Sequence, residues 1–140
     1  MHTREAVTAL TKNGLRGERG ATAVEFAFIM PLLIVLVLGI AEFGRAFQVS
    51  GQLSAAAREG VRVMALQNDP TAARNAVRNA APLSPAVTNA QITITPASCP
   101  VTGTASTTVR LTVTYPMPFL TDFFGSGVDL TGTGVMRCNG

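Results

Sequence analysis

Between Glu25 and Glu42 runs FAFIMPLLIVLVLGIA, sixteen residues without a charge. As a helix this stretch rises 1.5 Å per residue to about 24 Å, slightly short of a hydrocarbon core ~30 Å thick. Ala21 to Val24 on one side, with Phe43 and Gly44 on the other, complete a full span. Glu25 then falls at the membrane edge and Glu42 near the far interface, in reach of headgroups and water. Only 14% of the chain is charged against 47% hydrophobic, where soluble domains run nearer a quarter charged. The apolar excess is concentrated in this one run, so the chain reads as a membrane anchor with a small water-facing part.

A secretory signal peptide would need a small-residue cleavage site after its apolar core. Here Glu42-Phe43-Gly44-Arg45 follows, a poor context, while Gly20-Ala21-Thr22-Ala23 lies upstream. Cleavage upstream would leave the anchor on the mature protein. Pro31, inside the run, frees a carbonyl and tends to kink a helix. Four basic residues precede the run (Arg4, Lys12, Arg16, Arg19), and Arg45, Arg58 and Arg62 follow it, so positive charge barely favours one orientation.

Beyond the run the helical period continues. Phe43, Phe47, Leu53, Ala56, Ala57, Val61, Met64 and Ala65 recur as an apolar stripe, with Arg58 and Arg62 on a polar face. One helix is expected from Ala21 to Gln67, about 70 Å long at 1.5 Å per residue. Asn68-Asp69-Pro70 ends it and starts a short Ala-rich helix, with Asp69 as N-cap, Pro70 at its first position and Pro82 beyond its end.

The final third alternates with period two. Gln91 to Thr95, Thr108 to Tyr115 and, more weakly, Val128 to Met136 read as half-buried antiparallel strands. Ile92, Ile94, Val109, Leu111, Val113 and Tyr115 form the face expected against the long helix. Pro96 and Pro100 stop the first strand; Pro116 and Pro118 stop the second. Phe119, Leu120, Phe123 and Phe124 lie in the following turn, either capping the core or forming a contact patch for a partner. The fold class is α+β: a long N-terminal helix, a short helix and a three-stranded antiparallel sheet.

Cys99 and Cys138 are the two cysteines, without CxxC spacing or a nearby histidine. That is a poor metal site. Two unrelated free thiols is one reading. The better one is a disulfide, stapling two strand ends on the same sheet edge and implying an oxidising compartment. The disulfide also breaks the near-tie in orientation: N-terminus cytoplasmic, C-terminal part outside.

The net charge is +3, of which the first twenty residues carry +2. With no Trp, one Tyr and scattered arginines, neither the footprint nor the stacking groups of a nucleic-acid binder are present. His2 is the sole histidine, and there is no P-loop or GxGxxG. No enzymatic activity, cofactor or metal is expected. Glu25 is the costly residue, since a carboxylate in an apolar zone must be paired or solvated. It either reaches the headgroups or forms an ion pair, for instance with a neighbouring subunit's amine.

The stretches Arg19-Gly20-Ala21-Thr22-Ala23-Val24-Glu25-Phe26-Ala27, Pro31-Leu32-Leu33 and Gly39-Ile40-Ala41-Glu42-Phe43-Gly44-Arg45 resemble the TadE-like family. So does Ala55-Ala56-Ala57-Arg58-Glu59-Gly60-Val61-Arg62. The similarity is strong over residues 16–66 and less specific in the Thr-rich strands. TadE-like proteins are pseudopilins of the tight-adherence (Flp, type IVc) pilus, and the resemblance implies a pilin-like minor pseudopilin. Prepilin peptidases of that system cut after a glycine followed by four residues and a Glu. Here that maps to the bond between Gly20 and Ala21, with Glu25 and Phe26 serving processing or subunit docking. Ala21 and Thr22 differ from the Phe-Thr start of ordinary type IV pilins, favouring the Tad branch.

The resulting organisation is a leader at 1–20 held at the cytoplasmic face by Lys12, Arg16 and Arg19, a transmembrane segment at 21–44, an amphipathic continuation at 45–67 and an extracytoplasmic α+β domain at 68–140. Implied partners are membrane lipid, other Tad pilins, pseudopilins and assembly proteins, and the prepilin peptidase. Small residues Ala23, Ala27, Gly39 and Gly44 would let neighbouring helices approach. The alternative is an uncleaved, membrane-anchored extracytoplasmic binding module using the Phe119–Phe124 turn or the sheet edge.

Overall fold

The computed structural model describes residues 6–100 and 107–138, with side chains from Gly20 onward. It contains α1 (Ala6–Gln67), α2 (Pro70–Ala80), β1 (Ile92–Thr95), β2 (Thr108–Pro118) and β3 (Gly127–Arg137), with 3-10 turns at Asn89–Gln91 and Asp122–Phe124. The α+β class is as expected. Two compact units, Met1–Ala41 and Glu42–Gly140, divide the chain.

α1 begins at Ala6 rather than Ala21: the preceding residues have no proline, and helix formers such as Ala9, Leu10, Lys12, Leu15, Arg16 and Glu18 are interspersed with Gly14 and Gly17. Pro31 lies inside it without ending the helix. The basic side chains assigned to the leader, Lys12, Arg16 and Arg19, lie outside the described side chains.

Within Glu42–Gly140 the buried stripe of α1 is Val49, Leu53, Ala56, Ala57, Val61, Met64 and Ala65. Phe43 and Phe47, expected on it, are 70% and 76% exposed. They share the azimuth of the buried Val61 and Ala65, five whole turns further on, so the helical count holds and the difference is that this edge of the stripe is left uncovered at the start of the unit. The stripe instead continues through Glu42, which is buried, and Ala46, which is half-buried.

Asn68 ends α1 with φ 51° and its N–H donates to the Met64 carbonyl at 2.9 Å, a left-handed C-cap. Its side chain brackets the Cys99 peptide, Oδ1 accepting from Cys99 N at 2.6 Å and Nδ2 donating to Cys99 O at 3.2 Å. Asp69 caps α2 as expected, Oδ1 accepting from Thr71 N at 2.8 Å and Ala72 N at 3.1 Å. α2 buries Ala73 and Val77. A Cβ at Gly60 of α1 would lie 2.4 Å from Val77 Cγ2, so that glycine allows the close contact.

The sheet order is β1-β2-β3, all antiparallel. Val109, Leu111, Val113, Tyr115 and Met117 are buried on one face of β2, with Ile92 beside them and Ile94 half-buried. The expected inner face is thus present, and Tyr115 Oη donates to the Pro85 carbonyl at 3.0 Å. β2 runs on through Pro116 and Pro118, which were expected to stop it. β1 pairs only as far as Val113, so the later β2 residues have an open edge on that side, where a missing N–H costs no ladder bond.

On β3 the inner positions Gly132 and Gly134 are buried. A Cβ at Gly132 would lie 2.4 Å from the Leu53 carbonyl group, and one at Gly134 2.5 Å from Ala57 O. The backbone of α1 therefore rests directly on the backbone of β3.

Candidate functional site

Two surfaces stand out, one in each unit. The first is α1 from Gly20 to Ala41. Every residue there is exposed except Val35, Leu38 and Gly39, which are half-buried. Phe28 is 79% exposed and Leu32 70%. A helix apolar on all sides needs an apolar environment on all sides, and this one is long and apolar enough to cross a membrane. Its 22 residues would rise about 33 Å, a full hydrocarbon thickness.

Glu25 is the one charged residue in that stretch; it is exposed and forms no ion pair with a described residue. Gly20 and Ala21 are exposed one helical turn before it, and Phe26 is exposed beside it. The four positions linked to processing and docking therefore share one accessible length of helix.

The second surface begins at Glu42. Its side chain is 4% exposed, so it does not reach headgroups or water as expected. Oε1 accepts from the backbone N–H of Leu120 at 2.6 Å and of Thr121 at 3.0 Å. Oε2 and the buried Thr121 Oγ1 have no hydrogen-bond partner. One turn along, Arg45 Nη1 donates to the Pro118 carbonyl at 2.8 Å. A carboxylate accepting two amides makes a charge-assisted bond pair, roughly twice as strong as neutral ones. This clasp fixes the turn between β2 and β3 to the first turns of α1 in this unit.

The turn does not simply cap the core. Phe119 is half-buried against it, whereas Leu120 is 63%, Phe123 66% and Phe124 40% exposed. Phe123 and Phe124 meet edge to face with centroids 5.2 Å apart. Gly125, at φ 106°, then turns the chain back toward β3.

Cys99 and Cys138 form the expected disulfide, with Cα atoms 5.5 Å apart. The strands they follow occupy opposite edges of the sheet, not the same one. β1 and β3 run in the same direction, so their C-terminal ends lie at one end of the sheet. The bridge crosses above the start of β2, where Cys138 N donates to Thr107 O at 2.8 Å.

Glu42, Arg45, Gly132 and Gly134 are the positions that sequence reasoning missed. Glycines at alternate positions of a strand signal close approach by another backbone. For Glu42 the only signal was a carboxylate abutting an apolar run; its partners lie 78 and 79 residues away.

These surfaces define an α+β domain carried on a helix able to span a membrane. The model of the TadE-like protein family matches residues 20–62. The matched residues include Glu25, Glu42 and Arg45 and end at Arg62, so the similarity to that family lies in the apolar stretch and the helix that follows it. Neither a curated protein nor a solved structure matches the chain.

Proposed function

We propose that the chain is a TadE-like minor pseudopilin, a membrane-anchored structural or assembly component of a Tad (Flp) pilus with no catalytic role of its own. The observation that carries this reading is the family match over residues 20–62, coincident with an exposed apolar stretch of helix, Gly20–Ala41, whose one charge is Glu25. Prepilin peptidase removes residues 1–20 by cutting between Gly20 and Ala21. The new α-amino group then stands four residues from Glu25, within one helical turn. A neighbouring subunit's amine can neutralise the same carboxylate in an assembly, where an unpaired charge in the apolar zone is costly. Ala23, Ala27, Gly39 and Gly44 offer small contact positions for other pilin helices. The disulfide supports an extracytoplasmic Glu42–Gly140 unit and a cytoplasmic N-terminus.

The test is the intact mass of the protein recovered from membranes with and without the cognate prepilin peptidase. Peptidase-dependent loss of residues 1–20 is the expected result. A full-length mass in both would remove the pseudopilin reading and leave a plain anchored protein.

A further inference from the structure

We infer that the clasped turn bearing Leu120, Phe123 and Phe124, together with Phe43 and Phe47, is a membrane-interface foot that seats the Glu42–Gly140 unit on the lipid surface. This rests on the reading of residues 20–41 as a membrane span. The sequence places Glu42 directly after Ala41, where about 33 Å of helix has been used and the hydrocarbon ends. Glu42 is hydrogen-bonded to the backbone of Leu120 and Thr121. The turn is therefore tied to the residue that directly follows the span.

The distribution of phenylalanine supports a lipid occupant. All seven lie at 26, 28, 43, 47, 119, 123 and 124. None is in the fully buried core, which is built of Ala, Val, Leu, Ile, Met, Cys and Tyr. Phe26 and Phe28 begin the apolar run, and the other five sit just past its end or on the turn tied there. Phe and Leu are the apolar anchors of segments that lie in a membrane interface. The clasp suits the same placement, since it gives one oxygen of the Glu42 carboxylate two amide donors at the hydrocarbon boundary. Asp122 is exposed on the turn, while Arg45 is committed to Pro118 O. The attraction is apolar rather than electrostatic, so neutral phosphatidylcholine suffices.

The chain has no tryptophan, so one introduced indole reports alone. The full chain is reconstituted in phosphatidylcholine vesicles with brominated acyl chains, as Phe123→Trp, Phe28→Trp and Val135→Trp variants. Phe124→Trp serves as a second probe of the turn. Val135 is 52% exposed and lies eight residues along β3 from Gly127, about 27 Å away. Bromolipid is expected to remove most of the emission from Phe28→Trp and Phe123→Trp, and to leave Val135→Trp unchanged. Quenching of Phe28→Trp with both turn probes at the Val135→Trp level overturns the foot and keeps the span. An unquenched Phe28→Trp overturns the span, and the foot with it. Turn probes shielded from aqueous acrylamide yet untouched by bromolipid assign the patch to a second copy or another protein, and also overturn the proposal.

Discussion

α1 carries apolar residues on both sides of the Ala41–Glu42 junction, yet the two sides solve different problems. From Gly20 to Ala41 large side chains face every direction and none is fully buried. From Glu42 to Gln67 a single stripe is buried, and small residues (Ala56, Ala57, Gly60, Ala65) make up much of it. The first side is shaped by the solvent around it. The second is shaped by the backbone of β3, which Gly132 and Gly134 bring against Leu53 and Ala57. Hydrophobicity alone is higher where the protein packs least, so in this helix burial follows the size and spacing of residues.

The sharpest way to break this contrast is the same truncation on each side. Leu53 is fully buried and Leu32 is 70% exposed. Leu53→Ala should cost about 3 kcal/mol through lost burial and a cavity. Leu32→Ala should leave the stability of the Glu42–Gly140 unit unchanged. Urea unfolding of the full chain in micelles, followed through buried Tyr115, measures both. A comparable loss in the two variants would erase the difference between the two sides.

Gly132→Ala probes the contact from the other side and should cost about 2 kcal/mol, because an added Cβ meets helix backbone that must shift bodily. The same unfolding measurement checks it, with Gly51→Ala as comparison. Gly51 has open space around its Cβ position and lies in α1, so alanine there should stabilise slightly through helix propensity. Equal effects at the two glycines would contradict the close approach of α1 to β3.

Much of this was legible in the sequence because it depends on local rules. Asp69 before Pro70 announces a helix start, and the alternation from Val109 to Tyr115 announces a strand with one buried face. The apolar run and its flanking Glu25 carried the family resemblance that the match over residues 20–62 bears out. What local rules miss is long-range. Glu42 reads as an interfacial carboxylate until the fold brings the amides of residues 120 and 121 to it. Pro116 and Pro118 read as strand breakers until β1 proves too short to need their N–H groups. Phe43 and Phe47 fit the helical count, at the azimuth of Val61 and Ala65, but lie where that edge of the helix is left uncovered. The exposed side of the turn is likewise invisible until the core is seen to be complete with only Phe119 leaning on it.

Glu42 tests whether the junction between the two sides is held by charge or by shape. Glu42→Ala removes the acceptor for two amides and should cost about 1–2 kcal/mol, limited because the exposed turn can recover water. Glu42→Gln keeps an oxygen that can accept from Leu120 and Thr121, and it places an NH₂ where Oε2 has no partner. It should therefore retain most of the stability, losing only the charge-assisted share of the two bonds. Amide hydrogen exchange at Leu120 and Thr121 separates the cases: fast in Glu42→Ala, near wild type in Glu42→Gln. Fast exchange in both would make the negative charge itself the clasp. Slow exchange in both would mean that Arg45 on Pro118 O and the half-buried Phe119 hold the turn without Glu42, leaving its burial without a structural purpose.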